Sequence, residues 1–192
     1  MRTDILSFVL ASENRKEIAK ALFEYPKRQW SCTAMEEAAK LPHATVFRAL
    51  KGLAYFGILK QVKINKKDML YELAESPLAA ELKRAINVDK IVARGIAMEF
   101  VNKIKSQAES AILYGSSAKG SLKPESDIDI LIVADKTYKK HIFDAAAGIS
   151  MKSNRTISPV IMDKKELNRE KESQFIKSIK KNMEVLYGKS PF

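Results

Sequence analysis

Asp127 and Asp129 stand two residues apart at the head of an apolar run that continues to Val133. On a β-strand, residues i and i+2 face one side, so both carboxylates point the same way while Ile128 and Ile130 point into a core. Two carboxylates held side by side repel each other unless a cation lies between them. Hard oxygen donors of this kind suit Mg2+, which keeps few carboxylates and takes its other ligands from phosphate and water. A second apolar run, Ile112-Leu113-Tyr114, ends in Gly115-Ser116, and ten residues separate that dipeptide from Asp127. A glycine lets the backbone approach a triphosphate closely, and the Ser116 hydroxyl and nearby N–H groups can hold phosphate oxygens. Lys119 adds a point charge, and Ser126 joins these as a cofactor-binding candidate. The chemistry these residues suit is metal-assisted phosphoryl-type transfer, with Asp127 and Asp129 as both catalytic residues and metal ligands.

The two halves together, Gly115-Ser116-Ser117-Ala118-Lys119-Gly120 and Ser126-Asp127-Ile128-Asp129, resemble the motif of the DNA polymerase beta nucleotidyltransferase superfamily, in its minimal branch. The resemblance covers about residues 90–187. It implies an α/β domain that uses Mg2+ and a nucleoside triphosphate, ATP foremost, to place a nucleotidyl group on a partner protein or an RNA end. Active members of the family carry a third carboxylate on a later strand. That strand here is Thr156–Met162, which contains no acid; Ser158 falls at the third position and Asp163 lies beyond the run. Ser117 stands where minimal members often have arginine. Two readings therefore stay open: a working nucleotidyltransferase, or a regulator whose degenerate domain only binds nucleotide or a partner protein.

These residues need a scaffold. Hydrophobic periodicity predicts helices over Pro77–Ile86 and Asp89–Ser106, then a strand over Ser110–Tyr114. A strand over Asp127–Ala134, a helix over Lys139–Ala147 and a strand over Thr156–Met162 follow. Lys164–Tyr187 reads as one helix burying Phe175, Ile176, Ile179, Met183, Val185 and Leu186. Helices and strands interleave, so residues 76–192 form an α/β unit with a small mixed sheet.

Residues 1–75 have a different pattern. Asp4–Ala11, Ser12–Phe23, Ala34–Lys40 and Ala44–Phe56 read as helices, with Ser12 and Thr33 as caps and Gly57 as a stop. Ile58–Ile64 and Met69–Ala74 read as strands joined by the polar turn Asn65-Lys66-Lys67-Asp68. Leu41 to Leu53, followed by Phe56-Gly57-Ile58-Leu59, resembles the second half of winged helix-turn-helix transcription regulators. The whole chain is thus expected to be α+β, with a winged helix over 1–75 and a nucleotidyltransferase-like domain over 76–192, divided at Ser76-Pro77.

The winged-helix resemblance implies double-stranded DNA as a partner. On the third helix the apolar stripe leaves His43, Ala44, Thr45, Arg48, Lys51 and Tyr55 outward, with Arg48 suited to pair bidentately with guanine. Lys51, Lys63, Lys66 and Lys67 suit phosphates. By fold analogy alone, the DNA is the operator of the protein's own gene, as in toxin–antitoxin-like systems. The helices of residues 77–106 offer a surface for a homodimer.

Bulk composition agrees with these readings. The chain has 192 residues and a net charge of +11. The excess is spread out, with 13 basic against 9 acidic residues up to Glu75 and 21 against 14 beyond it. A basic surface gains from counterion release on nucleic acid, though a solubilising lysine coat has the same composition. Cys32 is the only cysteine, which excludes an intrachain disulfide and a cysteine zinc site. No run is long enough to span a bilayer, and Asp4, Glu13 and Arg15 make the N-terminal apolar run part of a helix rather than a leader, so a cytoplasmic protein is expected.

Overall fold

The computed structural model describes residues 4–64, 69–119 and 126–192. Lys66, Lys67 and the rest of the turn 65–68 lie outside the described residues, as does Gly120. The chain divides into two compact units, Met1–Asn87 and Val88–Phe192.

The first unit begins with α1 (Ile5–Leu10), where the Asp4 carboxylate accepts the Ser7 N–H at 2.9 Å. Next come α2 (Glu13–Glu24) and α3 (Cys32–Ala39). The cap of α3 is Ser31, whose hydroxyl accepts the Ala34 N–H, rather than Thr33. Both are hydroxyl residues two apart, and only Ser31 has the extended backbone a cap requires. Helix α4 (His43–Tyr55) buries Val46, Ala49, Leu50 and Leu53 along one side. It is followed by Gly57 at φ +72°, a conformation glycine adopts without a Cβ penalty.

β1 (Leu59–Lys63) and β2 (Met69–Leu73) pair antiparallel, with Gln61 opposite Tyr71. Trp30 adds a bridge to Tyr71. α5 (Pro77–Ile86) closes the unit, with Ser76 as cap and Pro77 in the first turn. Its buried residues Ala79, Leu82 and Ile86 join the core of Trp30, Met35, Leu50 and Leu53. The compact units therefore part after Asn87, not after Glu75: α5 spends its apolar face on the N-terminal core.

The second unit opens with α6 (Val88–Ile104) and continues through β3 (Ala108–Tyr114), the short α7 (Gly115–Lys119) and β4 (Ile128–Ala134). α8 (Lys139–Ser153) runs past the expected Ala147 and ends at Asn154, at φ 52°. Gly148 is tolerated inside it. β5 (Ile157–Met162), α9 (Lys164–Glu170), α10 (Gln174–Lys181) and β6 (Met183–Tyr187) complete the chain.

The expected single helix over 164–187 is thus two helices and a strand. Ser173 caps α10, and β6 pairs antiparallel with β3, whose edge would otherwise be open. Of the six residues expected to be buried there, Ile176 and Ile179 are fully buried, while Phe175 and Val185 are exposed.

The four strands order β5-β4-β3-β6, and only β4 and β5 are parallel, so the sheet is mixed. β4 is apolar on both faces because both faces are covered. Ile128, Ile130 and Ile132 pack with Phe100 of α6 and Ile142 of α8. Leu131 and Val133 pack with Leu167 of α9 and Ile176 and Ile179 of α10. Burying each such side chain contributes roughly 1.5–3 kcal/mol, and this two-sided core fixes where β4 begins. No described helix is long and apolar enough to cross a membrane.

Candidate active site

β4 starts at Ile128, whose N–H donates to the Thr156 carbonyl at 2.8 Å. Asp127 therefore stands one residue ahead of the strand and is exposed, while Asp129 lies inside it and is half-buried. Ile128 and Ile130 are locked into the α6/α8 core, so strand alternation sends Asp129 to the opposite face, the one Leu131 and Val133 share. Burial raises the Asp129 carboxyl above its ordinary range, and the neighbouring Asp127 charge raises it further. Neither carboxylate has a cationic partner among the described residues. This is the electrostatic condition that a divalent cation relieves.

The end of β3 meets this point from the adjacent strand. Gly115 follows Tyr114 with φ +72°, and a Cβ there would lie 2.7 Å from Asp129 Oδ2. Only a glycine lets the chain turn into α7 directly beside the carboxylate. Ser116 is half-buried in the first turn of α7. Lys119 ends that helix, and Ser126 stands half-buried next to Asp127. The motif's two halves are therefore brought together at Gly115 and Asp129.

Ser117 and Tyr114 also belong here. Ser117 is fully buried, and its hydroxyl donates to the Asp127 carbonyl at 3.2 Å, tying α7 to the approach to β4. The only signal in the sequence was its departure from arginine. Tyr114 is half-buried beside Asp129, and burial, reinforced by the Asp129 charge, pushes its phenol up to about 12. Its ring packs edge-on against Phe175, centroids 5.8 Å apart.

The parallel register pairs Asp129 with Ser158 on β5. Residues paired in this way share a face, so a serine hydroxyl occupies the place beside Asp129. Asp163 lies past the other end of β5. It accepts the Glu166 N–H at 2.8 Å and forms a capping box at the start of α9. Among the described residues, no group of three or more His, Cys, Asp or Glu side chains gathers as a metal cluster. Among the described residues, the carboxylates at this point are Asp127 and Asp129.

In the first unit, α4 carries His43, Thr45, Arg48 and Lys51, and β1 carries Lys63. Arg48, Lys51 and Lys63 are exposed, whereas Thr45 is half-buried. His43 is exposed, but its Nδ1 pairs with the Glu36 carboxylate. Arg48 Nε donates to the Ala44 carbonyl at 3.1 Å, leaving its terminal nitrogens outward. Tyr55 is exposed at 85%, as its place off the apolar stripe implies, and Phe47, exposed at 43%, adds a second ring that the helical pattern did not single out. Lys51 Nζ sits 5.8 Å from the Phe47 ring centre.

A family model described as Polymerase beta, Nucleotidyltransferase matches residues 98–192. A candidate protein adenylyltransferase of Methanocaldococcus jannaschii is 32% identical over 93 residues, covering 46% of this chain and 92% of the relative. A second candidate protein adenylyltransferase of the same organism is 35% identical over 65 residues, covering 32% of this chain and 66% of that protein. Among solved structures, one described as a possible transcriptional regulator from Methanosarcina mazei is 20% identical. It covers 43% of this chain and 72% of its own, at a TM-score of 0.37, a likeness too loose to carry weight.

Proposed function

Because this chain belongs to the polymerase beta nucleotidyltransferase family, whose members take a nucleotide substrate and in general a divalent metal, we propose that its second unit transfers a nucleotidyl group from ATP to a protein or RNA acceptor. We further propose that its first unit is a winged helix that binds double-stranded DNA. The observation that carries the catalytic half is the contact between Gly115 and Asp129, where a side chain on the glycine would collide with the carboxylate. The names of the two archaeal relatives support ATP as donor and a protein as the first acceptor to test.

Asp127 and Asp129 would hold the metal, Mg2+ by the hardness of their oxygens; when bound, it supplies positive charge to the triphosphate. Gly115 keeps the backbone open to the phosphates, and the Ser116 hydroxyl, with Lys119 and Ser126, holds their oxygens. Ser117 ties α7 to the backbone at Asp127. The acceptor hydroxyl attacks the α-phosphorus and releases its proton to water; the new P–O bond forms as the bond to the bridging oxygen breaks and pyrophosphate leaves. Ser158 is a poor proton acceptor where a carboxylate would take the hydroxyl proton, so a slow enzyme is expected.

That same serine favours the second reading, a DNA-binding regulator whose second unit binds nucleotide or a partner protein without transfer. In the first unit, the exposed Arg48 suits guanine, while Lys51 and Lys63, with Lys66 and Lys67, suit phosphates. Exposed apolar side chains on α6, Val88, Ile91 and Val92, support pairing of two copies.

The deciding experiment is transfer of label from α-³²P nucleoside triphosphates with Mg2+ to the protein itself, to RNA and to cell extract, with Asp129→Asn as control. Label on wild type that the variant loses supports the enzyme. No label with any nucleotide, together with no Mg2+-dependent nucleotide binding, sinks it and leaves the regulator.

A further inference from the structure

At the end of the sheet away from Gly115 and Asp129, a cavity of about 520 Å3 opens between the start of β3, the end of β4, α9 and residues 188–191. Ser110 lines it; this residue is 3% exposed, and its hydroxyl has no hydrogen-bond partner among the described residues. An enclosed hydroxyl without a partner is disfavoured, and buried polar groups in native proteins are nearly always satisfied. A ligand oxygen in the cavity would complete it.

The walls are set by the fold. The β3–β4 register shifts between Ala108 and Ser110. After β6, Gly188 adopts φ +73°, and a Cβ there would lie 2.1 Å from the Glu109 carbonyl oxygen. The turn at 188 therefore lies directly on β3 and holds Lys189 and Pro191 at the rim. Lys164 Nζ is paired with the Glu109 carboxylate at 2.6 Å, so its charge is offset. Lys189 and the Asn168 amide have no partner among the described residues and line the same cavity. Val133, Leu167 and Pro191 form an apolar side.

We propose that this cavity is a binding site, separate from the nucleotidyl-transfer site, for a small molecule carrying an oxyanion on an apolar body. Lys189 supplies the opposite charge. The Ser110 hydroxyl and the Asn168 amide donate to the oxyanion oxygens. Val133, Leu167 and Pro191 cover the apolar body, and a cavity of this size suits a small metabolite. Ser110 is five residues along the strand from Gly115, roughly 17 Å at the rise of an extended chain, so one ligand of this size does not reach both sites.

The test titrates the full ¹⁵N-labelled chain with benzoate and, separately, with phenyl phosphate. Saturable shifts in residues 109–110, 164–168 and 188–191 are expected. The probe that saturates first identifies the oxyanion as carboxylate or phosphate. Ser110→Ala should leave the melting temperature unchanged or raise it, while weakening binding about tenfold. Lys189→Gln should weaken binding similarly. The proposal is overturned if neither probe saturates by about 10 mM, a concentration above any specific affinity for such a site. It is also overturned if shifts fall only at Gly115–Ala118 and Asp129, if Ser110→Ala binds as wild type does, or if that variant loses stability as though a structural hydrogen bond had gone.

Discussion

The head of β4 and the outward face of α4 are both candidate sites, yet they are built in opposite ways. At β4, neighbours restrict the residue types: Gly115 is pressed against Asp129, and Ser117 is buried and bonded to the Asp127 carbonyl. At α4, Arg48, Lys51 and Tyr55 are exposed, and their contacts are local to the helix and its end: Arg48 Nε to the Ala44 carbonyl, Lys51 near the Phe47 ring and Tyr55 edge-on to Phe56. A site for chemistry must be held in place before substrate arrives, because small misplacements of reacting groups cost large factors in rate. A surface for a polyanion needs charge and reach, and it leaves precise geometry to the complex.

Substitutions should therefore act differently at the two places. The largest effect is expected for Asp129→Asn, which should lower nucleotidyl transfer by roughly 10³-fold or more, measured as the rate of label transfer. Its effect on the fold should have the opposite sign. Because burial and Asp127 disfavour the ionised Asp129, the neutral amide should raise the melting temperature measured without metal. A variant that is both inactive and less stable would show that Asp129 serves the fold.

Gly115→Ala comes next. It forces a methyl toward Asp129 Oδ2 at a positive φ, so transfer should fall about 100-fold, with a stability loss of about 1–2 kcal/mol by denaturant titration. Near-normal transfer would mean the close approach has no part in catalysis. At α4, Arg48→Ala should weaken duplex binding by about 1–3 kcal/mol by fluorescence anisotropy, with no change in melting temperature because the residue is exposed. Unchanged affinity would sink the base-reading role of Arg48 and break the contrast. Ser117→Ala removes one buried hydrogen bond, about 1 kcal/mol of stability. If that bond positions Asp127, transfer should also fall several-fold at temperatures where the variant is fully folded.

The contrast also explains what could be read from the sequence. The Gly-Ser and Asp-x-Asp spacing pointed to residues that the structure does bring close, because Gly115 and Asp129 end up side by side on adjacent strands. Ser117 stayed hidden because a buried serine and an exposed one look alike in sequence. The segment 164–187 departs from a single helix for a similar reason. Ile176, Ile179, Met183 and Leu186 recur at helical spacing, and that period runs straight through Asn182. What turns Met183–Tyr187 into a strand is not local: β3 has an edge to cover, and β6 pairs with it from Ala111 to Tyr114. The compact units part after Asn87 rather than after Glu75 for a related reason. Ser76-Pro77 does start a helix, but a cap signal cannot say which core the helix will join.

The smallest expected effect tests the missing third carboxylate. Asp163 is the acid nearest to Ser158 in the later strand region, and in sequence it competes for that role. In the structure the two sit at different ends of the β5 ladder: Ser158 pairs with Asp129, and Met162, the residue before Asp163, pairs with Val133. Asp163 already accepts the Glu166 N–H and returns its own N–H to Glu166 Oε2. Asp163→Ala should thus cost about 1 kcal/mol of stability, as loss of a helix cap does, and leave transfer unchanged. Loss of transfer with stability intact would place Asp163 in the reaction and overturn the β4–β5 register. If transfer survives, Asp163 has no part in the reaction, and Ser158→Asp then measures what a carboxylate beside Asp129 would add.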